Sequence, residues 1–119
     1  MLLIMKYNDL FIGVLLFTVA HFLTFYQLNG QFIWKWFQKN EWLIIASGSL
    51  LSIFYVLGTK YAVSGTGGLL WPARFIGFGI GMVLYAVLVN HHFNEGLNTK
   101  TIVSLFLCCA LICIQVFWK

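Results

Sequence analysis

Between Leu69 and Asn90 the chain places Trp71-Pro72-Ala73-Arg74 ahead of about sixteen almost wholly apolar residues, and no other feature restricts the fold so much. In lipid every backbone N–H and C=O must be satisfied within the segment, so an uninterrupted apolar run of this length predicts a membrane-spanning helix. Pro72 suits the first turn of that helix, where its missing N–H costs no intrahelical bond. Gly77 and Gly81, four apart, present bare backbone on one face, with Gly79 read beside them. Such a face admits a neighbouring helix or a bound solute at close range.

The same argument extends to the rest of the chain, because 61% of its 119 residues are hydrophobic and only 8% are charged. Soluble domains carry roughly 25% charged residues. The expectation is an all-α, integral membrane four-helix bundle, one domain over residues 1–119. Its spans are read at about 9–28, 41–58, 69–90 and 99–118. All five tryptophans, Trp34, Trp36, Trp42, Trp71 and Trp118, then fall at span ends or in the first connection, as an interfacial belt requires. Met1 to Met5 is apolar and no small-residue cleavage site follows Leu10 to Ala20, so the first span is expected to be retained.

The first span opens at Asp9, read as its N-cap, and carries Thr18, His21 and, less closely, Gln27 on one face, which should point into protein. Asn29-Gly30 ends it. Gln31 to Asn40 mixes Trp34, Trp36 and Phe37 with Lys35 and Lys39, a pattern suited to the headgroup layer. In the second span Gly48 and Ser52 form a small-xxx-small pair that promotes close packing. Thr59-Lys60-Tyr61 is read as the opposite interface, and Ser64-Gly65-Thr66-Gly67-Gly68 as a flexible stretch able to hinge. Asn98 or Thr99 should cap the last span.

Seven basic residues give a net charge of +4 but are scattered, so a nucleic-acid partner is not expected. Lys6, Lys60, Arg74 and Lys119 fall on one side and Lys35, Lys39 and Lys100 on the other, which leaves almost no positive-inside bias. Weak bias permits insertion in both orientations and hence antiparallel pairs.

Two ionisable groups lie within the spans. His21 is either a proton carrier or a neutral histidine hydrogen-bonded to a neighbouring helix. Arg74 either pairs with an anionic group or snorkels to the interface from one turn inside its span. The Gly77, Gly79 and Gly81 ladder is either a packing face or the floor of a substrate site. His91, His92 and Glu95 are a weak metal pattern, and no metal or cofactor is expected. Cys108, Cys109 and Cys113 sit in the last apolar run as packing residues and say nothing firm about compartment. No nucleophile motif, phosphate loop or carboxylate pair occurs, so an enzyme is not expected.

Four short spans, Gly77-Phe78-Gly79-Ile80-Gly81-Met82-Val83-Leu84 in the third, and Asn94-Glu95-Gly96-Leu97 leading into Ile102 to Val116 resemble the small multidrug resistance proteins and the wider drug/metabolite transporter superfamily. The likeness covers roughly Trp42 to Val116. It implies a dimer, often antiparallel, with substrate held among the first three helices and the fourth forming much of the dimer contact. It also implies a carboxylate in the middle of the first helix. This sequence has none: Thr18 stands near that place, with His21 one turn later. Subunits of undecaprenyl-linked aminosugar flippases, which lack the acid, are more similar in this respect. Two functions follow as expectations. The first is a small carrier or flippase-like subunit that moves a small or lipid-linked solute by alternating access, with Thr18, His21, Arg74, Gly77, Gly79 and Gly81 as its site. The second is a non-transporting accessory subunit of a larger membrane complex.

Overall fold

A computed structural model describes residues 7–95 and 97–118; Met1 to Met5, Lys6, Gly96 and Lys119 lie outside the described residues. The chain is an all-α bundle with no strand among those residues. It comprises α1 (Tyr7–Asn29), a 3₁₀ turn (Gly30–Phe32), α2 (Lys35–Lys39), α3 (Glu41–Gly65), α4 (Leu70–Phe93) and α5 (Thr99–Phe117). The four long helices are long and apolar enough to cross a membrane, the architecture of a multi-pass membrane protein.

Helix α1 is the centre of the arrangement. Along α3 it runs antiparallel, and small residues set the spacing: a Cβ added at Gly13 would lie 2.7 Å from the Ala62 backbone nitrogen. One at Gly65 would lie 2.5 Å from that of Leu10. Lipid tails are as apolar as leucine, so close van der Waals contact rather than water exclusion holds such helices together. Gly58, Ala62 and Gly65 form this seam. The expected pair, Gly48 and Ser52, does not: Gly48 faces the Gln27 amide, and the exposed Ser52 bonds back to the Gly48 carbonyl at 3.2 Å. For the same reason the second span does not stop near Gly58. Its backbone stays helical beneath the Phe17 ring and continues to Gly65, still packed on α1.

Along α4, α1 runs parallel and meets side chains: Phe17 lies over Gly77, His21 over Gly81, and Phe25 edge-on to Tyr85 at 5.7 Å between centroids. The Tyr26 hydroxyl bonds His92 Nε2 at 2.7 Å. Two small clusters result, Phe17 with Ala62 and Ala73, and Phe25 with Leu88 and Val89. Among the described residues α5 touches α4 alone and buries no residue.

The connections are specified locally. Trp34 stacks between Tyr26 and Phe37, and Gly30 lies directly beneath the Phe37 ring, so the aromatic and cationic segment folds as the short helix α2. Asp9 lies inside α1 rather than capping it, and accepts a hydrogen bond from the Ser64 hydroxyl at 2.5 Å, joining α1 to the end of α3. Helix α3 ends at Thr66, where Gly67 and Gly68 take φ of 78° and 88°, a region open to glycine and strained for other residues. The Thr66 hydroxyl is buried and lies 3.0, 3.2 and 3.0 Å from the carbonyls of Ala62, Val63 and Leu69. The stretch read as a hinge is therefore part helix and part pinned turn. Asn94 closes α4 in the left-handed conformation, and the Asn98 side chain caps α5 by accepting from the Thr101 N–H at 2.9 Å.

Candidate functional site

A cavity of about 710 Å³ opens among α1, α3 and α4. Its volume falls within the roughly 300–1,000 Å³ typical of small-molecule sites. Phe17 from one apolar cluster and Phe25 from the other line it, so the cavity occupies the gap between the two clusters. The gap exists because the α1–α3 seam is tight at its Gly13 end, while the α1–α4 contact is held apart by rings.

Its polar groups come from all three helices. Helix α1 supplies His21, Thr24 and Asn29, α3 supplies Tyr55 and Thr59, and α4 supplies Arg74 and Tyr85. The Tyr55 hydroxyl shares a hydrogen bond with Thr24 Oγ1 at 2.6 Å and reaches His21 Nδ1 at a long 3.4 Å. The Tyr55 and His21 rings also meet edge to face at 5.3 Å between centroids. This puts a continuous hydroxyl–hydroxyl–imidazole row on one wall. His21 fits tightly against α4: its ring lies 2.8 Å from where a Gly81 Cβ would stand, so a side chain at 81 would have to displace it. Arg74 lies one turn into α4, at the rim of the cavity. None of the chain's three acidic residues, Asp9, Glu41 and Glu95, lines the cavity.

Of the residues singled out from sequence, His21, Arg74, Gly77 and Gly81 come together here. Thr18 does not: its hydroxyl turns back to the Val14 carbonyl of its own helix at 2.7 Å. Gln27 also leaves the His21 face, donating to the Ile44 carbonyl of α3 at 3.2 Å. Gly79 is not beside Gly77 and Gly81, because residues two apart on a helix point to opposite sides. It abuts Ile112 of α5. The structure adds Thr24, Phe25, Tyr55 and Tyr85 to the site. Sequence spacing gave a signal for Thr24, one turn from His21, and none for Tyr55, whose position depends on the register of α3 against α1.

The remaining candidates lie elsewhere. His92 is engaged by Tyr26 and stacks on Phe25, with the His91 ring 4.8 Å from its own. No group of three metal-ligating side chains converges among the described residues. Cys108, Cys109 and Cys113 carry free thiols on α5. No protein-family model, curated protein or solved structure matches this chain.

Proposed function

We propose that the chain is a small membrane carrier or flippase-like subunit that moves a small or lipid-linked solute by alternating access, working as a dimer. The supporting observation is the cavity among α1, α3 and α4. It collects His21, in the middle of α1, and Arg74, one turn inside α4, beside the Tyr55–Thr24 pair. An ionisable side chain placed within a span costs roughly 2.5–3.5 kcal/mol on insertion scales, and such groups ordinarily line a solute path. Transport of this kind requires no covalent chemistry, only polar groups inside the bundle and two packings of similar energy. The dimer draws on α5, where Phe106 is 72% exposed, Leu107 62% and Phe117 71%.

Reconstitution into liposomes tests the reading. Wild-type protein should carry fluorescent amphiphiles across the bilayer, and Gly81→Leu, which drives a side chain into the His21 ring, should abolish flux while insertion persists. The same exposed α5 favours a second reading, a non-transporting accessory subunit whose fourth span docks on a larger membrane protein. Absence of flux over a broad solute panel, with normal assembly, would decide for that second reading.

A further inference from the structure

The connection between α1 and α3 is built as a surface, and what it fits follows from its charge and its depth. We propose that α2 is an anionic-lipid anchor: Lys35 and Lys39 bind negatively charged headgroups of the leaflet they face, with the rings of Trp36 and Trp42 seated beside them. The proposal holds whether or not the chain transports.

The first observation is that α2 is not free to roll about its own axis. Its Phe37 ring lies on Gly30, where an added Cβ would stand 2.5 Å from it, and Trp34 stacks on Tyr26 of α1 at 5.7 Å between centroids. The Gln38 amide donates to the Gln31 carbonyl at 2.7 Å, which ties α2 to the 3₁₀ turn. One side of the short helix is therefore fixed against the end of α1.

The second is what the other side carries. Lys35 and Lys39 are one turn apart, with Cβ atoms roughly 5–6 Å from each other, while Phe37, two residues from each, points the opposite way. Both lysines are exposed. Of the three acidic residues only Glu41 is near them in sequence, and it stands in the first turn of α3, where the positive helix end favours it.

The third is depth. Helices α1 and α3 are each long enough to cross a membrane, and α2 joins the end of one to the start of the other, so the lysines stand at the level of the headgroups. Trp36 is 54% exposed and Trp42 81%, and indole rings settle at that level.

Together these choose the class of lipid. In phosphatidylcholine the choline cancels the phosphate, and two ammonium groups one turn apart repel it, although exposed indoles attract it weakly. An anionic headgroup keeps its net charge, and a basic side chain near the membrane surface favours it by about fivefold per lysine.

The test uses the full chain in nanodiscs of phosphatidylcholine mixed with phosphatidylglycerol. Trp71→Phe and Trp118→Phe remove the two tryptophans of the opposite membrane face, leaving Trp34, Trp36 and Trp42 as reporters. Their emission is quenched by brominated phosphatidylglycerol in one sample and by brominated phosphatidylcholine in another of the same composition. Per mole of lipid, phosphatidylglycerol should be enriched about fivefold or more around these rings. Lys35→Gln combined with Lys39→Gln should bring the ratio close to unity, the paired Lys→Arg changes should keep it, and Lys60→Gln, near the other end of α3, should leave it unchanged. Quenching by brominated phosphatidylcholine checks that α2 has kept its depth in each variant. Equal quenching by the two lipids in the wild-type background, or a preference that survives loss of both lysines, would overturn the proposal. A loss as large in Lys60→Gln would also overturn it, by making the preference a property of overall charge. Equal lipid quenching, together with a polyglutamate peptide that binds the protein in neutral discs and not its double glutamine variant, would assign the pair to an acidic protein segment instead.

Discussion

The contact between α1 and α3 makes a prediction whose sign is opposite to ordinary helix propensity. Replacing a helical glycine by alanine normally stabilises a helix by about 1 kcal/mol, because glycine loses the most backbone freedom on folding. At Gly13 the new Cβ would stand 2.7 Å from the Ala62 nitrogen and 3.0 Å from its Cα. Both atoms are backbone, and neither can rotate away. Overpacking of this kind costs roughly 1–3 kcal/mol, and the rigid partner puts Gly13→Ala toward the upper part of that range. Subtracting the propensity gain leaves a net destabilisation of about 1–2 kcal/mol. Gly65→Ala, against the Leu10 backbone, should behave alike. The two changes share one seam, so the double variant should lose less than the sum, since helices already pushed apart have room for the second methyl. Gly77→Ala is the internal control: its Cβ would meet the Phe17 ring at 3.4 Å, an ordinary contact, and it should be neutral or stabilising by up to about 1 kcal/mol. Reversible unfolding by sodium dodecyl sulfate in mixed micelles measures all four. If Gly13→Ala is as stable as Gly77→Ala, the seam is not limited by backbone contact and the argument is refuted.

Other consequences can be checked in the same way. Tyr55→Phe and Thr24→Val should show a coupling of about 0.6–1.5 kcal/mol in a double-mutant cycle, and additivity would mean the hydroxyls are not paired in the membrane. Ser64→Ala should cost about 1–2 kcal/mol by leaving the Asp9 carboxylate without its hydroxyl donor, with Ser64→Thr retaining most of the stability in the same assay. Phe106→Ala combined with Leu107→Ala should weaken self-association measured by sedimentation while changing unfolding of the isolated chain by less than about 0.5 kcal/mol. A large change in unfolding would instead place both residues in an internal core.

What the sequence made legible was whatever depends on length, polarity and local chemistry. Four apolar runs gave four long helices, and the cap of the last was legible as Asn98 or Thr99, of which the structure uses Asn98, because capping requires only the residues next in line. Arg74, His21, Gly77 and Gly81 were recoverable because ionisable or bare positions inside an apolar run are few. The register between helices was not recoverable. Gly58 looks like a terminus in sequence, but it is the first contact of a face continued by Ala62 and Gly65, and only the opposing Phe17, Gly13 and Leu10 reveal this. Tyr55 enters the site through that register, and nothing near it in sequence distinguishes it from a lipid-facing tyrosine. Thr18 shows the converse: spacing put it on the His21 face, but a hydroxyl in a helix can bond its own preceding turn, and here it does.

The Thr66 turn has a mechanical consequence. A linker of five small and polar residues would ordinarily let the helices on either side swivel independently. Here one buried hydroxyl lies against carbonyls before and after the turn, from Ala62 and Val63 to Leu69, and thus ties the last turn of α3 to the residue preceding α4. Torque applied to α4 is therefore transmitted into α3 instead of being dissipated in the loop, and through the Gly13 seam into α1. Where α1 meets α4 the contact is ring on bare backbone, Phe17 over Gly77 and His21 over Gly81, so no α4 side chain interlocks with α1 at those two positions. Strain entering at Arg74 is delivered to the wall of the cavity.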